Sequence, residues 1–436
     1  MDKLPYELIR EILVLSNQPL VPSEPHNEFY HGLHAHVTDY GLGGVPRREY
    51  DILRPVQRQF ATYRLICKDI SPIALKLLLQ DVVLCATPAC LTSFSAFLQT
   101  KRYRGQLGAY TRRILLVPLP VGIDYTPILD YSHVPLLRTI RTLCPNLEAI
   151  EIFNRNKDFE MPTGWLTGLK HLVIVSPSSY RSSYLQSIPH SHPLLETLII
   201  SADIGAINSP IHFSHLKRLE IDTGNAFNLN FITAPRLEAC TLTISHLLES
   251  SLTDAHAFLK SNGRGLRFLR IMQALTTEDH YEDMRYLDPI PLNRIHDLAH
   301  ACPRLEIIHV LPFYTGAPLH REPHPTLTTL ILDRAYAWNL SSVIGYWKIN
   351  ENQFAKFDTV VFALGAGQNP WTTDAEIKQS IEEDPQLFAV TSIITKPHCL
   401  PVVIPPCASK ELAAKCVHDP PALAEVSAHR SSTLGT

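Results

Sequence analysis

Four histidines come closest to a pattern that could do chemistry. His26, His31, His34 and His36 lie within eleven residues. Imidazole nitrogens are common zinc ligands, so a cluster of this density could hold a metal ion. No cysteine and no spaced carboxylate pattern accompanies them, and the surrounding segment is rich in Pro, Gly and Asn, as polar loops are. We therefore interpret them as loop residues and expect no metal site.

A glycine pair gives the next candidate for ligand chemistry. Gly365 and Gly367 follow an apolar run, as the glycines of a dinucleotide-binding loop do. Pro370 stands where the third glycine is needed, and the βαβ context of a dinucleotide-binding loop is lacking. The P-loop pattern and the G-x-S-x-G nucleophile pattern do not occur, and the acids between 374 and 384 read as a solvated helix face. We expect no cofactor and no enzymatic activity.

The amino-acid composition limits the classes of protein to which the chain can belong. Hydrophobic residues make up 45% of the 436 residues and charged residues 19%, which is enough to bury a sizeable core. The net charge of −3 favours neither a nucleic-acid partner nor a membrane partner. The nine cysteines are scattered without a C-x-x-C pair, as in proteins of reducing compartments. Charges interrupt the first apolar residues, so a secretory signal is not expected, and the predicted location is cytoplasmic or nuclear.

One pattern, L-x-x-L-x-L with aliphatic variation, recurs from about residue 107. Its clear copies begin at these leucines: Leu147, Leu169, Leu195, Leu216, Leu237, Leu266, Leu305 and Leu327. An early copy includes Ile114 and Leu116, and a last one consists of Phe357, Val360 and Phe362. Most first positions are 21 to 29 residues apart, a spacing typical of leucine-rich repeats.

The pattern predicts stacked strands. The second and third aliphatic positions are two residues apart, so they point to the same side of a strand. One such strand cannot bury that side alone, whereas stacked neighbours share a continuous core. We therefore predict an α/β fold, an irregular leucine-rich-repeat solenoid with parallel strands and with Leu198, Leu219 and Leu269 buried. Leucine-rich strands of an ordinary α/β fold are the alternative.

Helical periodicity marks the N-terminal part. Leu4, Leu8 and Ile12 share one face of a helix predicted over 4–15, and residues 17–50 read as a loop insertion. Periodicity returns after residue 55, and Ser71 and Pro72 begin a further helix whose Ile73 and Leu77 are predicted to face inward.

These helices carry a resemblance to a known family. The segments LPYELIREIL and YRLICKDISPIALKLLLQDVVL resemble the F-box, and the whole chain resembles the F-box and leucine-rich-repeat proteins of fungi. The resemblance implies a helical module that docks on the Skp-type adaptor of a cullin–RING (SCF-type) ubiquitin ligase. The repeats would then hold an unknown target protein for ubiquitin-dependent degradation. The implied adaptor-binding residues are Leu4, Pro5, Leu8, Ile12, Leu65, Ile73 and Leu77.

Two departures from the F-box pattern keep a second interpretation open. The loop insertion separates the first two helices, and Ile70 stands where an aromatic residue is expected. The helices could instead cap the end of a repeat array, since terminal repeats need covering. The chain would then be a leucine-rich-repeat scaffold or recognition protein unrelated to ubiquitin.

The predicted organisation has four parts. Residues 1–90 form the F-box-like module, 107–365 the repeats, 366–395 a C-terminal cap and 396–436 a disordered tail crowded with proline.

The insertion at 17–50 and the tail at 397–436 are expected to exchange their amide hydrogens rapidly. Both segments carry turn-forming or small polar residues and little periodic apolar pattern. Hydrogen exchange followed by mass spectrometry measures this directly, with the repeat strands as the slow reference. Slow exchange throughout either segment would contradict the prediction.

Overall fold

The computed structural model describes part of the chain. The described residues are 71–100, 106–117, 131–153, 166–180, 182–204, 207, 209–222, 229–244, 249–273, 292–310, 322–333, 359–363 and 391–394. The six helices among them are α1 (Ser71–Gln80), α2 (Pro88–Leu98), α3 (Val134–Leu143), α4 (Ser182–Ser191), α5 (Glu249–Asn262) and α6 (Leu292–His300). The 39-residue step from Leu266 to Leu305 predicts an additional helix at 293–301, and α6 is that helix.

Fourteen strands are found in the described ranges. They are β1 (Asp81–Cys85), β2 (Arg113–Val117), β3 (Ala149–Phe153), β4 (His171–Tyr180), β5 (Thr197–Ile204), β6 (Ile211–His212), β7 (Arg218–Asp222), β8 (Ile232–Thr233), β9 (Ala239–Ile244), β10 (Phe268–Gln273), β11 (Ile307–Val310), β12 (Thr329–Asp333), β13 (Thr359–Ala363) and β14 (Thr391–Ile394). Twelve of them form one sheet, and β6 and β8 form a separate parallel pair.

The main sheet follows the order of the chain. Its strands run β1-β2-β3-β4-β5-β7-β9-β10-β11-β12-β13-β14, and each is parallel to its neighbours. Within the described residues β1 and β14 do not pair with each other, so the sheet does not close into a barrel. The predicted α/β class with parallel strands is confirmed.

The strand register superposes the aliphatic positions of successive repeats. Leu198 lies opposite Leu172 on one side and Leu219 on the other. Leu269 lies opposite Cys240 and Ile308. Leu198, Leu219 and Leu269 are each 0% exposed, so the predicted burial of these three leucines is confirmed.

Helices and strands bury their apolar side chains in one core. Leu137 of α3, Leu185 of α4, Phe258 of α5 and Leu298 of α6 belong to the same buried cluster as the strand leucines. We call this cluster the leucine core. A strand contributes only two or three inward side chains, so the helices supply the rest of the apolar cover.

Proline turns lead into several strands. The N–H of Leu147 donates to the carbonyl of Cys144 at 3.1 Å, and Leu305 donates to Cys302 at 3.0 Å. In both turns a proline follows the cysteine, where its fixed φ suits the second position of a β-turn. Both cysteines are 0% exposed. Each proline therefore sets the chain direction between a buried cysteine and the first leucine of the next repeat.

The sheet begins earlier than the repeat pattern indicated. Val82 and Leu84 of β1 lie opposite Ile114 and Leu116 of β2, and with Leu79 they make a further copy of the pattern. The sequence predicts a short strand over 81–84, which is β1, but its first aliphatic position, Leu79, lies in α1, so the strand was not recognised as a repeat copy. The sheet thus includes β1 from the stretch assigned to the helical module and β14 from the stretch assigned to the cap.

None of the helices in the described ranges combines the length and the apolar content needed to cross a lipid bilayer.

Replacing Leu219 with Ala should destabilise the protein by about 2–5 kcal/mol, because the cavity would open in the middle of the leucine core. Leu194 is 54% exposed, so Leu194→Ala is the matched control and should change the free energy of unfolding by less than about 0.5 kcal/mol. Urea unfolding measures both variants. Equal effects in the two variants would contradict the assigned core.

Candidate interaction surfaces

Helix α1 carries the two predicted adaptor-binding residues that the structure describes. Ile73 and Leu77 lie four residues apart on one helix face and are 2% and 9% exposed. Leu75 and Leu79, on another face, join the leucine core. The other five predicted residues, Leu4, Pro5, Leu8, Ile12 and Leu65, lie outside the described residues, as do the insertion at 17–50, its histidines and the tail at 396–436.

The helix is fixed to the start of the sheet. It ends at Gln80, and β1 begins at the next residue. The Lys76 ammonium lies 5.2 Å from the centre of the Tyr110 ring, a cation–π contact. A Cβ on Gly108 would fall inside the carbonyl of Leu143, so only glycine allows this approach of α3. No flexible linker therefore separates α1 from the sheet.

A row of charges runs along the edge where the strands of the sheet begin. Seven of its eight members directly follow the first aliphatic position of their repeat, and Arg112 follows Thr111 at the equivalent position; the members are Arg112, Glu148, Lys170, Glu196, Lys217, Glu238, Arg267 and Glu306. Each backbone carbonyl in this row accepts the N–H of the next member at 2.7–2.9 Å. The row therefore alternates in sign at every step from one repeat to the next, and we call it the charge ladder.

Ion pairs join several neighbours of the charge ladder. Lys217 Nζ lies 2.7 Å from Glu196 Oε2, and this hydrogen bond lowers the pKa of Glu196. Arg267 donates two bonds of 2.8 Å to the Glu306 carboxylate. Exposed pairs of this kind add little stability one by one, but opposed like charges destabilise neighbouring strands. The alternation therefore favours the observed repeat order over a shifted one.

The sheet face opposite the leucine core is also buried at its centre. Val173 and Ile199 stand between the inward positions of β4 and β5 and so point to this outer face. They are 4% and 1% exposed and lie outside the leucine core. These two side chains are therefore packed and do not form an open surface.

Further along the outer face the buried side chains become polar. Glu220, Thr241, Arg270 and His309 lie next to one another in register on four successive strands. Their exposed fractions are 4%, 1%, 0% and 2%. Arg218 Nη2 lies 3.8 Å from the Glu220 carboxylate. Because all four side chains are buried, this row is an internal polar layer and not an open surface. Removing one member of a buried ion pair would destabilise the protein.

One buried histidine in the described part of the chain, His324, forms hydrogen bonds with backbone groups. His324 Nε2 lies 3.1 Å from the Cys302 carbonyl, while its Nδ1 accepts the N–H of Leu327 at 3.1 Å. These partners require a neutral ring with its proton on Nε2. Desolvation lowers the pKa of His324, in keeping with that state. In the described ranges no group of three or more His, Cys, Asp or Glu residues could hold a metal ion.

Four cysteines in the described ranges, Cys90, Cys144, Cys240 and Cys302, are free thiols. Burial raises the pKa of Cys144 to about 11 and that of Cys302 to about 12. A buried thiol with a raised pKa forms little thiolate and is a poor nucleophile. These two cysteines therefore act as small apolar residues of the turns and not as reactive groups.

Acid should weaken the fold through His192. Its Nδ1 accepts the N–H of Leu169 at 3.1 Å, and burial lowers its pKa from 6.5 to about 4. Above pH 6.5 the ring is neutral in both states. Between about pH 6.5 and 4 the unfolded chain binds the proton first, so stability should fall by up to roughly 3 kcal/mol.

The variant His192→Asn keeps an acceptor near Nδ1 but does not titrate. Urea unfolding of both proteins at about pH 7 and about pH 4.5 should therefore show a smaller loss on acidification in the variant. Equal losses in the two proteins would contradict the assigned role of His192.

No protein-family model matches the chain, and no curated protein matches it.

Proposed function

We propose that the chain is a protein-binding protein built as an irregular leucine-rich-repeat solenoid. The main support is the strand order, in which twelve parallel strands follow one another along the chain with their aliphatic positions in register. Repeat arrays have this arrangement, because each unit contacts only its neighbours. They offer long surfaces to protein partners and need no catalytic residues.

The more specific proposal is a substrate-receptor subunit of an SCF-type ubiquitin ligase. In this role the N-terminal helices bind the Skp-type adaptor, and the repeats bind a target protein. The F-box-like residues support it, and so does the direct junction of α1 with β1. A receptor has to hold its target in a fixed position relative to the ligase, and a junction without a linker suits that task.

One observation favours the alternative, a repeat scaffold or recognition protein with no link to ubiquitin. Ile73 and Leu77 are buried within the chain itself, as expected of helices that cap the first strand. A cap of this kind keeps water from the end of an apolar core. The two roles are compatible, because different faces of the module can serve the core and the adaptor.

The proposed role includes neither catalysis nor a cofactor. Among the described residues, the buried histidines His192 and His324 are engaged with backbone groups. The buried thiols of Cys144 and Cys302 have raised pKa values, which leaves them poorly suited to nucleophilic chemistry.

Adaptor binding separates the two functions. The intact chain is expected to bind a purified Skp-type adaptor, and the double variant Leu8→Ala/Ile12→Ala should lose that binding. Losing one buried apolar anchor of a docked helix typically costs more than about 1 kcal/mol, so two should weaken binding at least about tenfold. Calorimetric titration measures the affinity.

Two further variants control this experiment. Arg10→Ala changes a charged residue of the same predicted helix and should leave the affinity unchanged. A chain with the 17–50 insertion shortened tests whether that segment blocks the adaptor. If neither the intact nor the shortened chain binds, while both are folded, the ligase role is wrong and the scaffold role takes its place.

A further inference from the structure

The turns before three successive strands each present an arginine. Arg236 precedes β9, Arg264 precedes β10 and Arg304 precedes β11, and all three are exposed. They lie close in sequence to the first leucine of their repeats, which places them beside the charge ladder. We call these three residues the arginine ridge.

The three turns are in close contact. A Cβ on Gly263 would lie 2.7 Å from Cys302 Sγ, so the turn before β10 lies directly against the turn before β11. A Cβ on Gly265 would lie 3.2 Å from the carbonyl of Leu237, on the side of β9. Neighbouring strands are about 4.8 Å apart, so the ridge spans about 10 Å.

The ridge differs from the charge ladder beside it. In the ladder each charge has a neighbour of opposite sign, such as Arg267 and Glu306. In the described part of the chain no ridge arginine forms an ion pair, and Arg236 Nη1 lies 3.3 Å from Nδ1 of His215. Three adjacent like charges repel one another, so an anionic group bound across them is stabilised.

We infer that the arginine ridge binds an acidic segment of a protein partner. Guanidinium groups donate paired hydrogen bonds in a plane, which fits carboxylates in particular. The inference rests on the proposed role of the chain as a protein-binding protein and names the chemistry of the segment that it recognises.

Two features favour a peptide on this ridge. The outer face of the sheet is already buried around Ile199, Glu220 and Arg270, whereas the ridge is open to solvent. Three cations over about 10 Å match a few carboxylates of an extended peptide. Nucleic-acid binding usually involves more phosphate contacts and a net positive charge, and this chain has a net charge of −3.

The test uses the full chain and a fluorescein-labelled peptide of six glutamates flanked by glycines. Fluorescence anisotropy at low salt should show binding to the intact chain. The double variant Arg236→Gln/Arg304→Gln should bind at least about tenfold more weakly, because two charge-assisted contacts are lost. Salt should weaken the binding, since the contacts are exposed.

A matched control removes two exposed arginines elsewhere. Arg112 and Arg138 are exposed and lie before β2 and on α3, away from the ridge strands. The variant Arg112→Gln/Arg138→Gln has the same net charge as the ridge variant and should bind the peptide like the intact chain. Thermal unfolding confirms that both variants are folded.

Three results would overturn the inference. They are no binding of the glutamate peptide by the intact chain, equal weakening by the ridge and control variants, and tighter binding of a labelled single-stranded DNA of equal charge that depends on the same arginines. The third result would assign the ridge to nucleic acid.

Adaptor titration of the intact chain, beside its peptide titration, separates this inference from the ligase proposal. Binding of the peptide without binding of the adaptor would support the arginine ridge as a binding site and contradict the ligase role. Binding of the adaptor without binding of the peptide would support the ligase role and contradict the ridge as a binding site.

Discussion

The structure depends on the shared burial of aliphatic side chains between neighbouring strands. A strand of five residues such as β7 has only two inward side chains, Leu219 and Ile221. Neither would be fully buried without a neighbouring strand on each side. Parallel pairing in register supplies those neighbours. In each repeat, helices and proline turns return the chain to the edge of the sheet where the strands begin. The whole described sheet follows from this one requirement.

Charged groups favour particular pairings of neighbouring strands, which the apolar pattern alone does not determine. Leucines alone would tolerate a repeat that pairs with the wrong neighbour, because every copy has the same apolar spacing. In the observed order Lys217 pairs with Glu196, whereas skipping one repeat would place Glu196 beside Glu238, and such opposed like charges are destabilising. On the outer face, Glu220 and Arg270 are buried and belong to the architecture. The arginine ridge is exposed, and we propose that it binds a partner.

The sequence predicted the features that repeat and missed those that depend on packing. The spacing of the aliphatic positions was sufficient to predict the parallel α/β class, the burial of Leu198 and the helix near residue 300. The copy at Leu79 was missed because that leucine also completes the periodicity of α1. The charge ladder becomes visible in the sequence only when the repeats are aligned and the residue after each first leucine is compared. Burial of Arg270 has no local signal, since it depends on what covers the outer face. Most of the predicted adaptor site lies outside the described residues and stays a prediction.

The central claim is that successive repeats stack in a single row, and distances along the row test it most directly. Spin labels on Asn146, Arg236 and Arg304, attached through an encoded ketone amino acid, leave the native cysteines unlabelled. From β3 the row takes four strand steps to β9 and six to β11. At about 4.8 Å per step, electron–electron double resonance should give about 19 Å between labels at 146 and 236, and about 29 Å between labels at 146 and 304. A distance from 146 to 304 that is equal to or shorter than the distance from 146 to 236 would contradict the stacked arrangement.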